Sequence, residues 1–318
     1  MAPLWLNETD VEKLLTMEAA IEAEEQAFRQ MAAGNAQNPP RHRLQAGGLM
    51  MRVMSASVRG MGLGLKTYTG FGRGSRFVTL LWDEASGALQ AVIESRRLTQ
   101  IRTGAATGLA TRHMANPTAS QVGVLGSGWQ ARAQLEAVCR VRPVNRVRVY
   151  SRTQAHRREF ALEMRRHLGV EVQAVKDARE AVEAAEILIA ITTADRPLFQ
   201  ADWLQEGVHI NAAGRHVGEI DLETVRRSAV VAVDDLAQAQ EEAGDLIAAI
   251  ERGYLQWDSV TGLAQIVAGV ADGRRRAEDV SLFVSLGVAI EDVAVARVVY
   301  EEARRLRVGQ ELPESTLG

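Results

Sequence analysis

The stretch Gln121–Ala137, QVGVLGSGWQARAQLEA, limits the fold of this chain more than any other. An apolar run, Val122–Leu125, meets Gly126 and Gly128, and a helical pattern begins at Trp129. Strand, glycine turn and helix in that order is the setting that gives a G-x-G-x-x-A match meaning as a dinucleotide-binding fingerprint. Gly126 permits the tight turn. Gly128 lets a pyrophosphate approach the backbone, and Ala131 takes the third position, where a small residue lets the helix lie close to the strand. Ser127, Trp129 and Gln130 complete the turn. The free N–H groups of the helix start then face the phosphates, and the helix dipole adds to the attraction.

The chain beyond residue 118 has the grammar that such a fingerprint requires. Strands are expected at Val122–Leu125, Arg146–Tyr150, Val170–Ala174, Ile187–Ile191, His209–Asn211 and Val230–Val233, with helical patterns between most of them. That alternation is the signature of a parallel sheet with helices on both faces. After about Leu236 the chain reads as helical, and it ends in a long helix over about Leu286–Arg305. The region before residue 117 reads differently. A capping box at Thr9–Glu12 opens a short helix, and a longer one runs from Met17 to Ala33, stopping at Gly34. Asn38-Pro39-Pro40 breaks the chain. Extended runs follow at Leu49–Met54, Gly62–Thr67, Phe77–Trp82 and Gln90–Ile93, with a hairpin turn at Asp83–Gly87. A helix over Leu98–Met114 leads to a hinge at Asn116-Pro117-Thr118. The expected fold class is therefore α/β. It combines a Rossmann-type, doubly wound parallel sheet at 118–295 with a smaller α+β domain at 1–117, to which 296–318 returns.

Composition removes several classes of function. At 318 residues and 47% hydrophobic, the chain can build normal cores in two domains. Net charge is −3 and the cations are spread, which argues against a nucleic-acid footprint. No apolar run is long enough for a membrane span, and MAPLWLNETD lacks a basic stretch leading into an apolar core, so no export signal is expected. The single cysteine, Cys139, cannot form an internal disulfide, which fits a reducing, cytoplasmic setting. The six histidines are scattered without metal-ligand spacing, so no metal is expected.

The sequence resembles the ornithine cyclodeaminase/mu-crystallin family over nearly its whole length. The resemblance is carried by PPRHRL at Pro39–Leu44, GLGLKTYTG at Gly62–Gly70 and LTQIRTGAATGLATRHM at Leu98–Met114. It continues through LGSGWQA at Leu125–Ala131, YSRT at Tyr150–Thr153, INAAG at Ile210–Gly214, EAGDL at Glu242–Leu246 and LFVSLGVAIEDVAVA at Leu282–Ala296. It implies a Rossmann domain plus a substrate-binding, dimer-forming domain built from both chain ends, and hence a homodimer. It also implies NAD(P)-dependent reduction of small α-imino acids or oxidation of α-amino acids. Two other readings come with the family: an ornithine cyclodeaminase-type lyase using NAD catalytically, and a nicotinamide-dependent binding protein of mu-crystallin type with little turnover.

Particular residues then acquire roles. Lys66 matches the family's active-site lysine, and a positioned ammonium can anchor an anion or give up a proton; the alternative is a surface lysine at a strand end. Arg102 matches the arginine that holds the substrate carboxylate, a task that suits a planar guanidinium. Its position near a helix start is unfavourable to the dipole, so an anionic partner is expected there. Arg41 matches a second carboxylate ligand, with Arg43 two residues on as the alternative. Ser151 and Arg152 follow the second strand where an acidic residue would favour NAD, so NADP(H) is the expected cofactor, with NAD(H) the alternative. Thr192 and Thr193 end the fourth strand, where strand ends face the cofactor. The family's acid/base aspartate after N-A-V-G falls on His216, which can carry protons near neutral pH. Gly262 and Val284 stand where a glutamate and a lysine are common. These departures weaken ornithine cyclisation more than imine reduction.

Overall fold

The computed structural model describes residues 2–71 and 74–313, and the side chains of 71 and 74 lie outside that description. In chain order the first elements are β1 (Leu4–Leu6), α1 (Glu8–Leu14), α2 (Met17–Ala32), β2 (Ala36–Gln37), β3 (His42–Ala46), β4 (Leu49–Val58), β5 (Gly62–Phe71), β6 (Gly74–Trp82), β7 (Leu89–Glu94) and α3 (Arg96–Met114). Next come β8 (Gln121–Leu125), α4 (Trp129–Val141), β9 (Arg146–Tyr150), α5 (Gln154–Leu168), β10 (Glu171–Ala174), α6 (Ala178–Val182), β11 (Ile187–Ala190), β12 (His209–Ala212), α7 (Leu222–Arg227) and β13 (Val230–Val233). The chain closes with α8 (Leu236–Glu242), α9 (Gly244–Glu251), β14 (Val260–Gly262), α10 (Leu263–Val267), β15 (Ser281–Val284), α11 (Ala289–Leu306) and β16 (Gln310–Glu311). Two compact units result, one of residues 1–103 with 287–318, the other of 104–286.

The first unit is a mixed sheet ordered β16-β1-β7-β6-β5-β4-β2, with β3 pairing β4. Its strands are longer than the apolar runs suggested, because Ser55 and Ser57 extend β4 on the outward face while Met54, Ala56 and Val58 stay buried. Asp83 builds the expected hairpin turn by accepting from Ala85 N–H and Ser86 N–H. The short first helix is capped two residues earlier than expected. Asn7 accepts from Thr9 and Asp10 N–H, and Asp10 answers to Asn7 N–H, because Asn is as good an N-cap as Thr. α2 and α11 cover the inner face, burying Ile21, Phe28, Val293 and Val299. The outer face aligns Leu44 with Met51, Leu63 with Trp82, and Leu65 with Leu80 and then Val92 across the strands. Leu44 is 60% and Leu63 45% exposed, so this face offers a broad apolar surface.

The second unit is an all-parallel sheet ordered β10-β9-β8-β11-β12-β15-β13-β14. The order reverses at β8, the strand that runs into Gly126, so a crevice opens at its carboxyl end. One face is filled by Leu135, Val138, Phe160 and Met164 of α4 and α5 against Val122, Val124, Val147 and Val149. The other face buries Leu188, Ile210, Val231 and Leu282 beneath Val225, Ala239 and Leu246. The stretch after Leu236 is not purely helical: β14 and β15 are strands, and β15 lies between β12 and β13. β15 is four wholly buried residues without alternation, which periodicity cannot distinguish from helix. No helix among the described residues is long and apolar enough to cross a membrane.

Candidate functional site

In the second unit an open cavity of about 270 Å³ is lined by Gly126, Ser127, Gly128, Ser151, Arg152, Thr153, His156, Ile191, Thr192 and Thr193, with Ala194 and Leu198. The fingerprint turn, the ends of β9 and β11 and the start of α5 thus share one crevice. Gly126 sits at φ +112°, where L side chains strain, and an added Cβ would run into the Ile191 carbonyl. Gly128 leaves open space where a side chain would stand, and no side chain caps the start of α4. A helix start without a side-chain cap beside this crevice fits a dinucleotide pyrophosphate. Trp129, Gln130 and Ala131 do not line the cavity. They form the first turn of α4, and Ala131 is fully buried. Ser127 and Ser151 join their hydroxyls at 2.8 Å, and Arg157 donates to the Ser151 carbonyl at 2.8 Å, so the end of β9 is tied down. Arg152 and His156 stay exposed at the rim.

The first unit holds a cluster of buried charges on the inner face of β5. Lys66 is 1% exposed and donates from Nζ to Asp292 Oδ1 at 2.7 Å. Arg102 donates to Glu291 Oε2 at 2.6 Å, and its Nε lies 3.2 Å from the same Asp292 oxygen. Burial and the neighbouring Arg102 guanidinium lower the Lys66 pKa to about 7, against the opposing pull of Asp292. Burial pushes the Glu291 carboxyl up against the pull of Arg102. Lys66 is therefore poised to exchange a proton near neutral pH, and is no surface lysine. Arg41 donates to the Gly287 carbonyl at 2.8 Å and to Tyr68 Oη at 3.3 Å. Gly287 is at φ +75°, and a Cβ there would fall 2.5 Å from Arg102 Nη1. One glycine thus touches both arginines. Arg43 lies on β3 and is exposed.

The helix start is not what calls for an anion at Arg102. α3 begins at Arg96, two residues before the expected start, so Arg102 is past the first turn. Glu8 serves the helix start, accepting from Arg96 and Arg97 N–H at 2.7 Å each. The anions that answer Arg102 are Glu291 and Asp292.

His216 lies in the second unit, in a loop after β12, at φ +61°. It faces a cavity of about 10 Å³ together with Glu219 and Asp245 and does not line the crevice at Gly126. Asp245 accepts from Gly218, Glu219 and Ile220 N–H. Glu219 accepts from Thr192 N–H at 2.8 Å, Thr192 Oγ1 at 2.9 Å and Arg215 N–H at 2.9 Å. The EAGDL aspartate therefore folds the loop, and Glu219 fastens the loop to the strand end that carries Thr192. Asp221 caps α7, accepting from Glu223 N–H. Gly262 is the N-cap of α10, and Val284 is a buried residue of β15.

Sequence reasoning gave no role to Glu291, Asp292, Glu219 or His156. An adjacent acid pair inside the apolar run GVAIEDVAVA was the available signal, since two acids flanked by core residues must be paired.

A family description, the ornithine cyclodeaminase/mu-crystallin family, matches residues 1–306. An alanine dehydrogenase of Archaeoglobus fulgidus is 34% identical over 98% of this chain and 98% of its own length. The solved structure of Thermococcus litoralis Δ1-pyrroline-2-carboxylate reductase, in complex with NADH and L-proline, is 36% identical and superposes with a TM-score of 0.92 over 97% of this chain and 100% of that one. An archaeal alanine dehydrogenase dimer with bound NAD is 34% identical, with a TM-score of 0.91 over 99% of this chain and 100% of that one. The match along the chain and the shared fold show that the chain belongs to the ornithine cyclodeaminase/mu-crystallin family.

Proposed function

We propose that this chain is an NAD(P)-dependent oxidoreductase of small α-imino and α-amino acids. The observation that carries this reading is Lys66, a fully buried lysine with a pKa near 7, set against Arg102 and the Asp292 carboxylate. When bound, the nicotinamide supplies or accepts the hydride at the C=N or CH–NH carbon. Arg102 and Arg41 hold the substrate carboxylate, and Gly287 keeps both guanidinium groups in place. Lys66 gives the proton to nitrogen during reduction and recovers it in the reverse direction. His216 is assigned a lesser share of the proton traffic, because its loop is built around Asp245 and Glu219. Gly126, Ser127 and Gly128 receive the pyrophosphate, with Trp129, Gln130 and Ala131 forming the helix start above it. Thr192 and Thr193 line the same crevice.

We further assign a preference for NADP(H) over NAD(H). No acidic side chain ends β9, and Ser151 and Arg152 can hold a 2′-phosphate. The protein is assigned as a cytoplasmic homodimer that joins copies through the apolar outer face of the first sheet, around Leu44, Leu63 and Trp82. Incubation with NADPH and Δ1-pyrroline-2-carboxylate, and separately with NAD⁺ and ornithine, tests the reading. Loss of NADPH in the first mixture is the expected result. Proline and ammonia from ornithine without net change in cofactor would make it a cyclising lyase. Cofactor binding without turnover in either mixture would make it a binding protein.

A further inference from the structure

The inner face of the first sheet carries more positive charge than a single substrate carboxylate requires. Cross-strand register sets Arg43 opposite Arg52, Arg52 opposite Tyr68, and Tyr68 opposite Phe77. Lys66 is two residues before Tyr68 on β5, so Arg52 and Lys66 are diagonal neighbours on one face, about 7–8 Å apart by sheet geometry and somewhat closer at Cβ. The Tyr68 ring joins them: the Arg52 guanidinium carbon lies 5.4 Å and Lys66 Nζ 5.7 Å from its centroid. Phe77 stacks behind Tyr68 at 5.0 Å and holds the ring in place. Glu291 and Asp292 answer Arg102 and Lys66. Among the described residues no carboxylate lies within ion-pair distance of Arg52, which is half-buried. Gly70, beside this row, places only a hydrogen toward Arg52, leaving room there.

We propose that Arg52, flanked by Arg43 and stacked on Tyr68, forms a second anion subsite that recognises an acidic group on the substrate side chain. The preferred substrate is then a short dicarboxylic imino or amino acid, with one carboxylate on Arg41 and Arg102 and the other on Arg52. This proposal rests on the reading above that Arg41 and Arg102 hold the α-carboxylate. The reaction itself is unchanged: the C=N carbon takes a hydride, nitrogen takes a proton, and the reduced nicotinamide leaves oxidised.

The test compares NADPH-dependent turnover of oxaloacetate plus ammonia with that of pyruvate plus ammonia, in wild type, Arg52→Met and Arg52→Lys. Wild type is expected to favour the dicarboxylic substrate in kcat/KM. Arg52→Met is expected to lower the acid-to-neutral ratio of kcat/KM by about 30- to 1,000-fold, the cost of removing one partner of a charged, hydrogen-bonded pair. Arg52→Lys is expected to restore part of that ratio. A wild-type preference for pyruvate, or equal losses on both substrates in Arg52→Met, would overturn the subsite while leaving the reductase reading intact. Calorimetry of L-aspartate and L-alanine on the NADP⁺-loaded protein covers the remaining case. Tighter binding of aspartate that depends on Arg52, without any turnover, would support the subsite and sink the reductase reading. Equal binding of the two, or a preference untouched by Arg52→Met, would sink the subsite.

Discussion

Replacing Asp292 by asparagine probes the buried charge cluster at its centre. One oxygen of Asp292 receives Lys66 Nζ at 2.7 Å and lies 3.2 Å from Arg102 Nε, and Asp292 is 1% exposed. Asparagine keeps the shape and one acceptor but removes the charge. Two forces hold the Lys66 pKa up, its attraction to Asp292 and to Glu291; burial and Arg102 pull it down to about 7. Without the Asp292 charge the downward forces gain, so the Lys66 pKa falls further. Each unit of that fall corresponds to about 1.4 kcal/mol of lost preference for the ammonium form. Because reduction needs the ammonium as proton donor, wild-type kcat should decline as pH rises through about 7. The Asp292→Asn profile should decline at a pH lower by at least about one unit, since breaking a buried ion pair costs several kcal/mol. The assay is kcat against pH at saturating imine and NADPH, with thermal unfolding as a check that the variant folds. An unchanged alkaline limb in a folded variant would refute both the proton role of Lys66 and its control by Asp292.

Other outcomes follow from the same geometry. Arg102→Ala should lower kcat/KM for the imine by about 10²-fold or more while cofactor affinity changes little, and Arg102→Lys should restore only part, because bidentate geometry is lost; equal loss of cofactor binding would misplace the carboxylate site. Arg152→Ala should raise the KM for NADPH by about tenfold and hardly change that for NADH, given an exposed charge of one to a few kcal/mol on a phosphate; equal effects on both would remove the 2′-phosphate assignment. His209 is fully buried against Ser281 and Asn211, and burial with Arg274 nearby lowers its pKa from 6.5 to about 3. The neutral ring's contribution is complete above pH 6.5 and is lost as pH falls toward 3. Wild type should therefore lose up to about 2 kcal/mol between pH 6.5 and 5 through this group, and His209→Gln should lose correspondingly less in melting experiments.

The parts of the fold that follow from local chemistry were legible in the sequence. The fingerprint could be read because strand, glycines and helix are contiguous, and the cavity at Gly126 collects Ser151, Arg152, Thr192 and Thr193 from strand ends whose places follow from β-α alternation. Lys66 and Arg102 were nameable by resemblance, but their surroundings were not. Asp292 is 226 positions from Lys66 and meets it only because α11 packs on β5. β15 was hidden because a short, wholly buried strand shows no alternation. Arg52 was passed over for a related reason: one arginine in a strand says nothing until register sets it against Tyr68 and Arg43.

The most direct measurement follows the hydride itself. NADPH carrying deuterium at both C4 positions of the nicotinamide is supplied with an α-imino acid, and the amino acid product is analysed by mass spectrometry and NMR. One deuterium on the α-carbon is expected for each NADP⁺ formed. Product without deuterium on the α-carbon, or no product beside tightly held cofactor, would contradict it.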